Sequence, residues 1–364
     1  MSKIVVIAGT RPEVVKLAPV YRALVALPAM TVEWLSTGQH REMLAQAEAV
    51  FKITPDVGLD VMRENQTPLD VVQDICGRLQ QRWQAEKPDF VVVQGDTATA
   101  YAAALAAFYL RIPVGHVEAG LRSYTPQEPF PEEAHRRMIA ALTTLHFAPT
   151  ALAQQNLRTE HYAAECVHNV GNTVVDALCS IPDAPDFTLP NVPQNSRLVL
   201  VTTHRRENHD QLANICQGLL KIRDENPDIE IVFPVHLNPN VQKVVQNFLS
   251  GQPRIHLLPP LDYFDFVQLM RRTYLILTDS GGVQEEAPTY KIPTLVLRRQ
   301  TERPEAVHAG LAKLVGTDVG LICSTANTLL QDKDAYAAMQ QGENPFGDGQ
   351  SSTRIAQLIN AFLN

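Results

Sequence analysis

No stretch of the chain approaches the ~18 consecutive apolar residues that a membrane-spanning helix needs. The opening residues, MSKIVVIAGTRPE, place a single Lys before an apolar run too short for a secretory signal. A cytoplasmic protein with no membrane partner is expected. Basic excess is missing too. A net charge of −8 implies no broad cationic surface, which argues against a nucleic-acid partner but leaves room for a local cationic pocket. The five cysteines, Cys76, Cys166, Cys179, Cys216 and Cys323, are scattered, with no C-x-x-C among them. They read as small buried residues in a reducing compartment, not as disulfides or metal ligands. The absence of H-E-x-x-H, of Cys/His metal spacing and of G-x-S-x-G disfavours metal-dependent hydrolysis and serine chemistry. G-x-G-x-x-G is absent as well, since Gly9 stands alone after the first apolar run, and a dinucleotide site is disfavoured. Low-complexity tracts and short-period repeats are also lacking.

What is present is a repeated strand–loop–helix pattern. At 364 residues the chain is too long for one comfortable core, so two domains are the default. Residues 3–8 (KIVVIA) form a continuous apolar run, typical of a parallel strand buried on both faces. Gly9-Thr10-Arg11-Pro12 follows, and helical spacing begins at Val14. Arg11 and Lys16 in this unit are candidate phosphate contacts, or else charges on a solvated helix face. Further strands are expected at 32–35, 90–93 and 113–117 in the first half, and at 197–202, 230–235, 274–278 and 293–297 in the second. Each ends in polar residues, and open α/β sheets bind ligands at that edge. The pattern predicts two similar α/β halves facing one another across a cleft.

The stretch from Tyr274 to Pro288, YLILTDSGGVQEEAP, carries the clearest ligand signal. An apolar strand meets Ser280-Gly281-Gly282, and a helix start follows. The unpaired N–H groups and dipole of such a start suit an anion, and glycine lets phosphate approach the backbone. Glu285 and Glu286 are placed to reach ribose hydroxyls. The plainer reading is a Gly-Gly turn ahead of acids that favour helix starts anyway. Three further acids, Asp96, Glu118 and Glu132, fall on strand-end loops or a helix start of the first half. Any one alone reads as structural; together they suggest acid–base work in which neighbouring carboxylates push their pKa values apart. His204, followed by Arg205 and Arg206, is either a strand-end cap or a cationic group that stabilises a departing diphosphate. Phe266 packs in the core or against a base. Glu302, Arg303 and Glu305 follow the last strand, and His236 is a weaker candidate.

Taken together, these strings resemble one family, the non-hydrolysing UDP-N-acetylglucosamine 2-epimerases. The matching segments include GTRPEVVKLAP at 9–19, TGQHREML at 37–44, GDT at 95–97, GHVEAGLR at 115–122, PEE at 131–133 and THRREN at 203–208. PVHLNP at 234–239, DSGGVQEEAP at 279–288, TERPEAV at 301–307 and NPFGDG at 344–349 continue the match. The resemblance implies a glycosyltransferase-B-like fold of two Rossmann-like domains, 1–168 and 169–351, with a C-terminal helix at about 352–364 returning to the first. It implies a homodimer, a UDP-sugar substrate and no cofactor. The reaction it implies inverts C2 by eliminating UDP to give a 2-acetamidoglucal, then adding UDP back. By position, Asp96, Glu118 and Glu132 match the acid–base group and His204 the stabiliser of leaving UDP. Ser280, Gly281 and Gly282 match the phosphate cradle, Glu286 the ribose contact and Phe266 the uracil side. Arg11, Lys16 and Arg136 match other substrate-binding positions; Arg303 is a further candidate on the sugar side, and His236 a weaker one that a capped strand end explains equally well.

The chain also departs from that pattern. His135 stands where relatives usually carry Asn, Gln94 where His commonly precedes GDT, and SYTPQEP at 123–129 differs from the usual loop. The resemblance places a candidate effector site at Gln39, Glu42, Arg63, Asn65 and Arg206. There, Asn65 replaces an Arg that many relatives use to bind a second UDP-GlcNAc. Other readings are an epimerase of a modified UDP-sugar, a UDP-sugar glycosyltransferase of the same architecture, or a non-catalytic UDP-sugar sensor.

Overall fold

The computed structural model describes every residue except Glu64 and His204; for Arg206, Glu207 and His209 it describes the backbone alone. The chain forms two compact units, Met1–Ile181 with Phe346–Asn364, and Pro182–Pro345.

The first unit holds seven strands: β1 (Ser2–Ala8), β2 (Met30–Ser36), β3 (Val57–Gly58), β4 (Phe90–Gln94), β5 (Val114–Val117), β6 (Leu145–Ala148) and β7 (Val167–Asn169). They lie in the order β3-β2-β1-β4-β5-β6-β7, and every pairing is parallel. Ile4 is the hub of the register, opposite Val32 on one side and Phe90 on the other. Residues Ile4–Ala8 and Phe90–Val93 are buried throughout, as a sheet covered on both faces requires.

The second unit repeats the plan with β8 (Arg197–Thr202), β9 (Ile229–Pro234), β10 (Ile255–Leu258), β11 (Thr273–Thr278), β12 (Thr294–Val296) and β13 (Ala312–Leu314). Their order is β10-β9-β8-β11-β12-β13, again all parallel. Helices alternate with strands in both units, so the two-domain α/β expectation holds. In each sheet the first strand has neighbours of opposite winding, β2 and β4 around β1, and β9 and β11 around β8. Such switch points open a crevice at the carboxyl ends of the strands.

The units divide after Ile181 and before Phe346, not at the expected 168/169 and 351/352 boundaries. The reason is local packing. The helix Thr173–Ser180 and the C-terminal helix Ser351–Leu363 both pack against the first helix, Arg11–Val25. Buried Asp176 also accepts hydrogen bonds from Ser351 N at 3.2 Å and Ser352 N at 2.7 Å, capping the C-terminal helix. Among the described residues no helix is long and apolar enough to cross a membrane.

Candidate active site

In the first unit the switch point brings together the turns after β1 and β4. The approach is close. A Cβ on Gly9 would stand 2.1 Å from Thr99 Oγ1 and 2.3 Å from Thr37 Oγ1, so no other residue fits there. Arg11 opens the first helix directly beyond this turn. Asp96 sits in the turn after β4, where Arg136 grips it: Nε lies 2.7 Å and Nη2 2.6 Å from Oδ2. Arg136 comes from the helix Glu132–Leu142, and its neighbour His135 donates Nδ1–H to the Asp96 carbonyl at 2.8 Å. His135 also stacks on Tyr101, with ring centroids 5.0 Å apart. From β5, His116 donates from Nε2 to the Gly95 carbonyl at 2.8 Å. Burial pushes His116 down to about 4, so its ring is neutral at physiological pH.

Glu118, just past β5, has φ +66°, a left-handed backbone that is costly for a residue with a Cβ and clusters at functional sites. Its carboxylate pairs with Lys16 of the first helix. Glu132 begins its helix directly after Pro131, and among the described residues its buried Oε2 has no hydrogen-bond partner. A buried acceptor left open is a marker of chemical use or of an absent donor. The next residue, Glu133, is fully buried and accepts from Ser123 N at 2.9 Å and Tyr124 N at 3.2 Å, holding the atypical 123–129 loop. Asp96 and Glu118 are thus each paired with a cation, an arrangement that the expectation of mutually repelling carboxylates did not include.

In the second unit, Thr278 Oγ1 accepts from Ser280 N at 2.9 Å, and Ser280 Oγ caps Val283 N at 3.4 Å. Buried Asp279 accepts from Arg205 N at 3.1 Å and Asn208 Nδ2 at 2.9 Å, joining the segment after β8 to the turn after β11. The guanidinium of Arg205 lies over that turn: Nη2 is 3.5 Å from where a Gly281 Cβ would be. Among the described residues its buried Nε has no hydrogen-bond partner. Gly282 continues the turn, which begins the short helix Gly281–Glu286. Glu286 is buried and accepts from Tyr263 OH at 3.1 Å. Glu285 takes Arg303 Nε, and Glu302 stands 3.9 Å from both Arg205 Nη2 and Arg303 Nη1. Phe266 packs at the edge of an apolar cluster with Leu198 and Ile276. His236 is exposed, and its Nδ1 accepts from Asn238 N at 3.2 Å. His204 lies outside the described residues.

The candidate effector residues are not equally available. Gln39 uses its amide oxygen on Thr99, accepting from N at 3.2 Å and Oγ1 at 2.8 Å. Arg63 is engaged by Asp74 of the helix Pro68–Ala85. Glu42 is exposed in the helix Arg41–Val50, and Asn65 is exposed with φ +57°. The side chain of Arg206 lies outside the described residues.

Two doubly wound units, acids and bases at one switch point and a glycine turn under an arginine at the other, define a class of nucleotide-sugar proteins. The comparisons narrow it. A family model described as UDP-N-acetylglucosamine 2-epimerase matches residues 22–360. A probable UDP-N-acetylglucosamine 2-epimerase of Ralstonia nicotianae is 46% identical, with 100% of each chain covered. The UDP-N-acetylglucosamine 2-epimerase of Salmonella typhimurium is 44% identical over 99% of both chains. A crystal structure of the Neisseria meningitidis enzyme bound to UDP-GlcNAc superposes with a TM-score of 0.92, at 42% identity, covering 99% of this chain and 100% of that one. The chain belongs to the UDP-N-acetylglucosamine 2-epimerase family, as its motifs led one to expect.

Three residues that hold this site together were not singled out from sequence: Glu13, Thr97 and Glu133. Glu13 and Glu133 resemble ordinary first-turn acids, and Thr97 an ordinary helix cap. Only their burial and partners reveal more.

Proposed function

We propose that the protein interconverts UDP-N-acetylglucosamine and UDP-N-acetylmannosamine, without an added cofactor, by eliminating UDP and adding it back through a bound 2-acetamidoglucal. Asp96, Glu118 and Glu132 exchange the C2 proton. Lys16 and Arg136 hold the first two of these acids, and Arg11 contacts the substrate. Ser280, Gly281 and Gly282 cradle the diphosphate, with His204 and Arg205 stabilising it as it departs. Glu286 binds the ribose and Phe266 lies toward the uracil, while Arg303 and His236 complete the substrate-binding set. The protein acts as a homodimer in the cytoplasm.

The observation that carries this reading is the acid set at the first switch point. Asp96 and Glu118 each keep a cationic partner, and Glu132 keeps a buried open oxygen. A protein that only sensed UDP-sugars would have no use for three placed acids. Family membership supplies the substrate class.

The test is a product assay on UDP-N-acetylglucosamine alone, without acceptor or nicotinamide. UDP-N-acetylmannosamine should form and approach a fixed ratio from either direction. Turnover only with an acceptor would identify a glycosyltransferase, and free N-acetylmannosamine as the main product would identify a hydrolysing enzyme.

A further inference from the structure

Glu13 is fully buried in the first turn of the first helix, and no described ion pair involves it. An acid kept in such a place is costly unless its oxygens are satisfied. Both are. Gly9 N donates to Oε2 at 3.0 Å and Thr97 Oγ1 donates to Oε1 at 2.6 Å. Thr97 Oγ1 also accepts from Ala100 N at 3.0 Å, so the one hydroxyl both caps its helix and donates to Glu13. Each oxygen of the carboxyl group accepts one of these bonds. Desolvation nonetheless pushes Glu13 up to about 7, a measure of what burial costs it.

The two partners belong to the two turns of the switch point. Gly9 precedes Thr10 and Arg11; Thr97 follows Asp96. The turn after β4 is held at three consecutive residues from three different elements. His116 takes the Gly95 carbonyl, His135 the Asp96 carbonyl, and Glu13 the Thr97 hydroxyl. Of these three contacts, that of Glu13 alone reaches the neighbouring turn as well.

We propose that Glu13 is a positioning residue: its carboxyl group ties the turn after β1 to the turn after β4 and thereby sets the direction of the Asp96 carboxylate. The inference rests on the assignment of Asp96 to chemistry at C2. Glu13 itself does not touch the reacting atoms. In Glu13→Gln, one oxygen becomes an NH2 that cannot accept from Gly9 N or Thr97 Oγ1, while shape is kept.

Glu13→Gln should lower kcat on the order of 10- to 100-fold, as a small misplacement of a reacting group does. KM for UDP-N-acetylglucosamine should stay within about twofold, since substrate binding as such is not removed. Thr97→Val, which deletes the other end of the bond, should lower kcat similarly. The double variant should fall no further than the worse single one, the mark of residues acting through one contact. Wild-type kcat in Glu13→Gln, or losses that multiply in the double variant, would overturn the proposal. Amide exchange in the peptide spanning residues 90–100 tests the link independently of turnover. Exchange should quicken in Glu13→Gln, and unchanged protection there would also overturn it. A wild-type protein inactive on UDP-N-acetylglucosamine would instead fail the functional assignment, with the exchange result still deciding the link.

Discussion

Arg136 holds Asp96 by two nitrogens on a single oxygen, Nε at 2.7 Å and Nη2 at 2.6 Å from Oδ2, across 40 residues of sequence. A two-nitrogen grip fixes orientation as well as charge, and lysine cannot reproduce it. Arg136→Lys should therefore lower turnover on the order of 10- to 100-fold despite keeping the charge. Asp96→Asn, Glu118→Gln and Glu132→Gln should each lose at least ~100-fold, the scale of positioned acid–base catalysis. Steady-state assays read all four. Because Asp96 and Glu118 are ion-paired, their amide variants should also unfold slightly earlier than wild type, whereas Glu132→Gln should not. Near-normal turnover in Glu118→Gln would show that acid to be structural.

Two buried groups in this region titrate with opposite consequences for stability. Glu13 is raised from 4.5 to about 7, so its contribution is fully present below 4.5 and is lost as pH rises through 7. His116 is lowered from 6.5 to about 4, so its contribution is present above 6.5 and is lost as pH falls through 4. Comparing wild type with Glu13→Gln isolates the first effect. Between pH 4.5 and 8 the stability difference should move in favour of the glutamine variant by on the order of 3 kcal/mol. Urea unfolding of both proteins across that range measures it. A difference that does not change with pH would contradict the assignment of a raised Glu13.

The candidate effector site yields a kinetic expectation. Asn65 has no charge to offer a second diphosphate, and Arg63, the nearby cation, is engaged by Asp74. The amide oxygen of Gln39 is committed to Thr99. A missing charge-assisted contact weakens such a site by ~1.5–3 kcal/mol, roughly tenfold or more. Rate against UDP-N-acetylglucosamine should be hyperbolic, and pure UDP-N-acetylmannosamine should convert without a lag. Sigmoidal kinetics, or a lag abolished by trace UDP-N-acetylglucosamine, would show effector activation intact.

The sequence made the buried parts of the fold most legible. Strands β1, β4 and β8 are continuous apolar runs because both sheet faces are covered, and such runs stand out at once. The helix Ala98–Tyr109 follows directly on the GDT string, with the Thr97 side chain as its cap. Short edge strands such as β3, at two residues, leave almost no periodic signal. The candidate residues themselves were readable from motifs, but their pairings were not. Lys16 and Glu118 lie 102 residues apart, and Thr97 and Glu13 lie 84 apart. Only the strand order brings them together. The unit boundary moved for the same kind of reason, since residues 173–180 look like the start of a new unit until their packing on the first helix is seen.

Solvent isotope incorporation tests the proposed chemistry most directly. Conversion of UDP-N-acetylglucosamine in D2O should give UDP-N-acetylmannosamine carrying deuterium at C2, because the proton leaves the sugar and returns from groups in exchange with solvent. Mass spectrometry and proton NMR at C2 read the label. Epimerised product without deuterium at C2 would contradict the elimination–addition route and the roles given to Asp96, Glu118 and Glu132.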